Sequence, residues 1–227
     1  MSDSLILIAV IIGTVIIGFL VFRAWNIAAL VRQADSPAAR ELHRMALESG
    51  AEKGDAGAQY ILGIELQTEG NDAAALPHLW SAAQQGLPQA QSLLADLYSR
   101  AGRNEEDKSK ALTWWYFAAE QGLPEAQAAL GLCYAEGFGE EPDLSKAYRW
   151  MRLASKSTKE SFQFASVPGM FDSAATISRA LASWREKSEE LKLLLTEEQL
   201  QKSEAWISEW EPKTWQVLKT AVALRGY

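Results

Sequence analysis

At 227 residues, 48% of them hydrophobic and nine of them tryptophan, the chain suffices for one elongated domain or two small ones around a sizeable apolar core. Its net charge of −7, with Lys and Arg scattered along the chain, argues against nucleic acid as the partner, because phosphate binding needs a clustered basic face. Cys133 is the only cysteine, which leaves neither a disulfide framework nor a thiolate metal cluster.

The first element is apolar. Leu5 to Phe22 reads LILIAVIIGTVIIGFLVF without a charge, which as a helix is about 27 Å long, short but sufficient for a bilayer core. A cleaved leader wants a basic start and small residues after the apolar run; here Met-Ser-Asp-Ser precedes it, and Arg23 and Trp25 follow it. The reading is an uncleaved transmembrane anchor within residues 1–24. Arg23, Arg32 and Arg40 lie on its C-terminal side and no Lys or Arg lies before it, which predicts an N-out anchor with the rest of the chain in the cytoplasm. Ala9 and Gly13 have the small-x-x-x-small spacing that permits close helix contact.

Residues 25–50 read as a linker and a packing helix. Ser36-Pro37 has the form of an N-cap followed by Pro at the first helical position, which predicts a helix over Ala38 to Ser49 packing on the segment that begins at residue 51.

From residue 51 to 157 the chain repeats itself. Gly54, Gly86 and Gly122 each close a segment, and each is followed by an Ala-Gln pair: Ala58-Gln59, Ala90-Gln91 and Ala126-Gln127. The spacing is 32 residues and then 36, a period typical of helix-pair solenoids. Leu87-Pro88 and Leu123-Pro124 open the second and third units just after the glycines, the Gly-stop and Pro-start pattern of a tight helix-to-helix turn. Within the first helix of each pair, Leu62-Gly63, Leu94-Ala95 and Leu130-Gly131 align, as do Leu66, Tyr98 and Tyr134. The small residue recurs where a neighbouring helix is expected to pass too close for anything larger. The second helix opens with Asp107-x-x-Lys110-Ala111 or Asp143-x-x-Lys146-Ala147, the Asp being a candidate cap.

These residues resemble the Sel1-like repeat family, whose unit combines Ala-x-x-x-Leu-Gly-x-x-Tyr, a Gly-x-Gly loop, Asp-x-x-Lys-Ala, an aromatic pair and a closing Ala-Ala-x-x-Gly. The third unit, with Gly137-Phe138-Gly139 and Asp143-Leu144-Ser145-Lys146-Ala147, matches most of it, although Ser155 replaces an Ala and no Gly closes it. The second lacks the loop glycines. The first is the most worn: Gly70-Asn71-Asp72 replaces the long loop, and Pro77 falls inside the second helix, where a kink or late start is expected. The resemblance covers just under half the chain. It implies an all-α fold with a short α/α solenoid of Sel1-like helix pairs, to which the apolar run adds one preceding transmembrane helix and the sequence after residue 157 adds C-terminal capping helices. It also implies a non-catalytic protein–protein adaptor or scaffold.

Residues 158–227 read as that cap. Phe162 to Phe171 is expected to be a loop, Ser173 to Leu195 a helix, and Thr196 to Gln199 a capping box opening a helix through Trp206 and Trp210; Pro212 is expected to begin a last helix ending near Leu224.

Chemistry finds little support. His43 and His78 lie far apart without partners at ligand spacing, Cys133 reads as a small buried hydrophobe, and Glu189-Glu190 and Glu197-Glu198 as solvated helix surface. Gly137-x-Gly139 lacks the strand and the Lys-Ser/Thr of a phosphate loop. No metal or cofactor is expected. Some Sel1-like proteins have been associated with β-lactam binding, but Ser109-Lys110 and Ser145-Lys146 are adjacent pairs, not the Ser-x-x-Lys such a hydrolase needs. The remaining candidate is a recognition stripe. In the first helices, Tyr60/Ser92/Ala128, Ile64/Asp96/Leu132 and Thr68/Arg100/Glu136 vary between units at i, i+4 and i+8. Tyr60, Ile64, Asp96, Arg100, Leu132 and Glu136 are therefore the predicted contacts for a protein or peptide partner. Trp80, Trp115 and Trp150 in the second helices, and Trp184, Trp206, Trp210 and Trp215 beyond them, read chiefly as packing residues.

Overall fold

The computed structural model describes residues 36–101, 104–158 and 174–225, and among them the regular structure is ten helices without a strand. The predicted anchor at Leu5 to Phe22 and the predicted loop at Phe162 to Phe171 lie outside the described residues. Among those described, no helix is long and apolar enough to cross a membrane. The chain divides into two units, Met1–Ser49 and Gly50–Tyr227.

The described part of the first unit is helical. Helix α1 (Pro37–Glu52) starts where the sequence places it, with the Ser36 hydroxyl accepting from the Ala39 N–H at 3.1 Å. It runs past Ser49 into the second unit.

The second unit is three helix pairs and a cap. The pairs are α2 (Ala56–Thr68) with α3 (Asp72–Gln84), α4 (Pro88–Ala101) with α5 (Glu105–Glu120), and α6 (Pro124–Glu136) with α7 (Leu144–Lys156). Each pair also packs on the next, α3 against α4 and α5 against α6. The joints are as expected: Gly54, Gly86 and Gly122 have φ of 83°, 95° and 92°, the left-handed region Gly enters without a Cβ penalty. Pro124 sits at the first turn of α6. The small positions are tight for the expected reason. A Cβ on Gly63 would lie 2.6 Å from the Leu79 side chain of α3, and one on Gly131 would lie 3.1 Å and 3.2 Å from the Met151 nitrogen and Ala147 oxygen of α7.

Two expectations within the pairs are corrected. Helix α3 starts at Asp72, capped by Asn71, so Pro77 does not delay it. Pro77 is exposed and forfeits only the bond to the carbonyl of Ala73, which water can replace. Helix α5 is capped by Asn104, whose side chain accepts from the Asp107 N–H at 2.8 Å, and not by Asp107. Glu105, Glu106 and Asp107 instead fill its first turn, where negative charge suits the helix N-terminus. In the third pair Asp143 does cap α7, through the Lys146 N–H at 2.9 Å.

Beyond the repeats lie α8 (Ala174–Leu193), α9 (Glu197–Glu209) and α10 (Trp215–Arg225). Both α8 and α9 pack on α7, and Leu191 and Ile207 join the core of α5 to α7. The capping box at Thr196 and Gln199 is formed in both directions. The last helix begins at Trp215 and not at Pro212; residues 211–214 are irregular.

Candidate interaction site

The buried Ala-Gln pairs turn out to be the stitching of the repeat. Gln59 Nε2 donates to the Ala51 carbonyl at 3.1 Å, Gln91 Nε2 to Ala83 at 3.0 Å and Gln127 Nε2 to Ala119 at 3.2 Å. Each bridges back eight residues across a turn. The oxygens of the first two are used as well: Gln85 Nε2 donates to Gln59 Oε1 at 2.9 Å and Gln121 Nε2 to Gln91 Oε1 at 2.7 Å. These bonds lie within the frame, so the three buried amides hold adjacent units in register rather than face a ligand.

The predicted stripe divides by depth. Tyr60, Ser92 and Ala128 are buried. Tyr60 belongs to the core and burial drives its phenol upward in pKa, so it is not a surface contact. Asp96 is also packed in, accepting from Trp115 Nε1 of α5 at 3.1 Å. Ile64 is half-buried, while Arg100, Leu132 and Glu136 are exposed. The reason is geometric. Along this stripe the positions nearer the N-termini of α2, α4 and α6 are covered, and those nearer the C-termini of α4 and α6 emerge.

Burial raises the Asp96 carboxyl to about 6, against the lowering effects of the Trp115 hydrogen bond and Arg100. Asp96 thus holds its proton more tightly folded than unfolded. Its contribution to stability is complete below the ordinary value of 3.8 and is lost as pH rises through about 6. Asp96→Asn keeps an acceptor for Trp115 without the charge. It should therefore stabilise the chain by about 1–2 kcal/mol at pH 7 and by little at pH 4. A melting temperature that depends on pH equally in both proteins would contradict this.

Two further surfaces escaped sequence reasoning. An open apolar cleft of about 540 Å³ is lined by Leu76, Pro77, Trp80 and Ser81 of α3 and Tyr98 of α4. Trp80 is 43% exposed there, whereas Trp115 and Trp150 are buried as expected. The second is the row of turns that joins the pairs, across which residues 210–215 lie. Trp150 makes T-shaped contacts with Trp206 and Trp210 at 5.3 and 6.3 Å, Pro212 covers Gly122, and Trp215 covers Gly86. Cys133 is buried and its thiol is pushed up to about 12, so it is an inert hydrophobe. Among the described residues no group of three His, Cys, Asp or Glu is placed to hold a metal ion.

Against known proteins, the Sel1 repeat family matches residues 88–123 and 124–158, the second and third helix pairs. The chain carries Sel1 repeats. The first helix pair, worn in sequence, repeats the same geometry of Gly turn and glutamine bridge. The chain is similar to the crystal structure of a protective antigen present in uropathogenic Escherichia coli strains that displays an SLR fold. Identity is 28% and the TM-score 0.55, covering 80% of this chain and 36% of that one. The chain thus spans little more than a third of that structure's length. It is also similar to a Sel1 repeat protein from Oxalobacter formigenes, at 36% identity over 55% of this chain and 96% of that one, with a TM-score of 0.45. No curated protein matches the chain. Sel1 repeats are typically protein–protein interaction scaffolds and generally non-catalytic.

Proposed function

We propose that the chain is a membrane-anchored, non-catalytic adaptor whose Sel1 repeats hold another protein beside the membrane. The observation that carries this reading is the split between frame and surface. Equivalent positions that stitch the units are satisfied internally, whereas Arg100, Leu132 and Glu136 emerge at the ends of α4 and α6 with chemistry that differs from unit to unit. Fixed positions build a scaffold, and differing exposed ones read a partner. Leu5 to Phe22 supplies the anchor and the Arg residues after it favour a cytoplasmic repeat domain.

The test is capture of partners by the full-length anchored chain and by its Arg100→Ser/Leu132→Ser/Glu136→Ser variant. Loss of about tenfold or more in a captured partner, with the melting temperature little changed, is the expected result. Equal capture by both would remove this face from the proposal. A second reading, an extracytoplasmic envelope protein, is favoured by the E. coli neighbour's description as a protective antigen. A reporter fused after Tyr227 that is active only outside the cytoplasm would select it.

A further inference from the structure

The segment 210–215 is held in the manner of a bound peptide. Helices α3 and α5 end at Gln84 and Glu120, equivalent residues of the first and second units. Carbonyls in the last turn of a helix lack intrahelical donors. Here both are taken by the segment: Trp215 Nε1 donates to the Gln84 oxygen at 3.0 Å, and the Lys213 backbone N–H donates to the Glu120 oxygen at 2.7 Å. The glycines just beyond these helix ends provide seats. A Cβ on Gly86 would lie 2.3 Å from the Trp215 ring, and one on Gly122 would lie 3.3 Å from Pro212.

The side chains add a register. Trp210 packs on Trp150 of the third unit. Lys213 Nζ sits 2.8 Å from the Glu120 carboxylate, which is only 4% exposed. Trp215 meets Phe117 edge-on at 5.4 Å. The segment therefore steps backwards along the chain, third unit to second to first, with one anchor on each. One backbone and one indole N–H bond to repeat-equivalent carbonyls, a buried carboxylate for a cation, and aromatic seats on either side are the parts of a sequence-selective peptide site.

We infer that the row of turns at Gly86 and Gly122 is a peptide-recognition track, filled in this structure by the chain's own segment 210–215. The partner that fits it is an extended peptide carrying a Lys with an aromatic residue three positions before it and another two positions after it. The inference rests on the reading of the repeats as a protein-binding scaffold. It adds which surface reads the partner, what it reads, and that the chain's own segment competes for the place.

The test uses the full-length chain with Glu120→Lys and a labelled synthetic peptide of residues 208–218, in its natural form and with Lys213→Glu. Glu120→Lys repels the chain's own Lys213 and opens the track. The Lys213→Glu peptide should then bind at least about tenfold more tightly than the natural one, while the unaltered chain binds either peptide at least about tenfold more weakly than this. If Glu120→Lys fails to melt cooperatively, the full-length Lys213→Ala/Trp215→Ala chain replaces it, and the natural peptide should be preferred by the same margin. No preference between the peptides in the variant that folds would overturn the inference. So would a concentration-dependent dimer that binds neither peptide, because the segment would then serve only self-exchange. Either failure, alongside capture that still depends on Arg100, Leu132 and Glu136, would sink the track and leave the adaptor standing.

Discussion

Trp150→Ala should lower stability by about 3–5 kcal/mol, the range for emptying a buried aromatic site. Trp150 is 4% exposed and stands where the last repeat meets its cap. Its ring makes T-shaped contacts with Tyr116 at 6.2 Å, Trp206 at 5.3 Å and Trp210 at 6.3 Å. Truncation leaves three aromatic partners facing a void that the rigid backbones of α7 and α9 cannot collapse into. For a chain of this size that corresponds to a fall in melting temperature of roughly 6–20 °C. Fluorescence adds a second signature: Trp206 and Trp210 should shift to the red before the repeats melt, because α9 loses its main aromatic seat. Trp80→Ala is the matched control. Its ring is 43% exposed, and the change should cost clearly less, about 1–2 kcal/mol. Trp150→Ala melting within two or three degrees of the natural chain would show that the cap is held by something else.

Gln91→Leu should cost about 2–4 kcal/mol even though leucine is apolar and Gln91 is fully buried. The side chain has two obligations, donating to the Ala83 carbonyl and accepting from Gln121. Leucine meets neither: the Ala83 carbonyl keeps only the Gly86 N–H at 2.9 Å and Gln121 keeps only the Phe117 carbonyl at 3.4 Å, so each partner loses one of its two bonds. The Gln121→Leu change alone should be milder, because its amide lies nearer the surface. Combined with Gln91→Leu it should cost less than the sum, with a coupling of about 1 kcal/mol, since each change already removes the shared bond. Additive losses would mean that the relay between units is not continuous.

Much of this architecture can be read from spacing alone. Each Gly turn, the Pro at the start of α6 and the capping box at Thr196 stand where local backbone chemistry requires them. The tight contacts at Gly63 and Gly131 follow from a small residue recurring beside a large one. Candidate contacts were harder, for two physical reasons. Distance along a helix says nothing about depth beneath the next helix, so Tyr60 and Asp96 shared a stripe with Arg100 while lying under α3 or α5. The tryptophans mislead by register. Aligned on the repeat, Trp115 matches Leu79 and Met151, all buried, whereas Trp80 matches Tyr116 and Arg152, none of them fully buried. One residue is a hundred degrees of helix rotation, enough to turn a core position outward. The alignment was available in the sequence and predicts the exposure of Trp80. The docking of residues 210–215 was not available, because nothing local ties Trp215 to a carbonyl 131 residues away.

That distance sets a timetable for the molecule's birth. The helix pairs close through neighbours in the chain and can assemble as they leave the ribosome, whereas Lys213 follows Glu120 by more than ninety residues. At about 5–20 residues per second, each newly made chain spends roughly 5–20 seconds between making Glu120 and making Lys213, with the turn at Gly122 uncovered. A protein waiting at the site of synthesis meets the repeats before their own tail does. Whichever arrives first, the contest for Gly86 and Gly122 begins during translation.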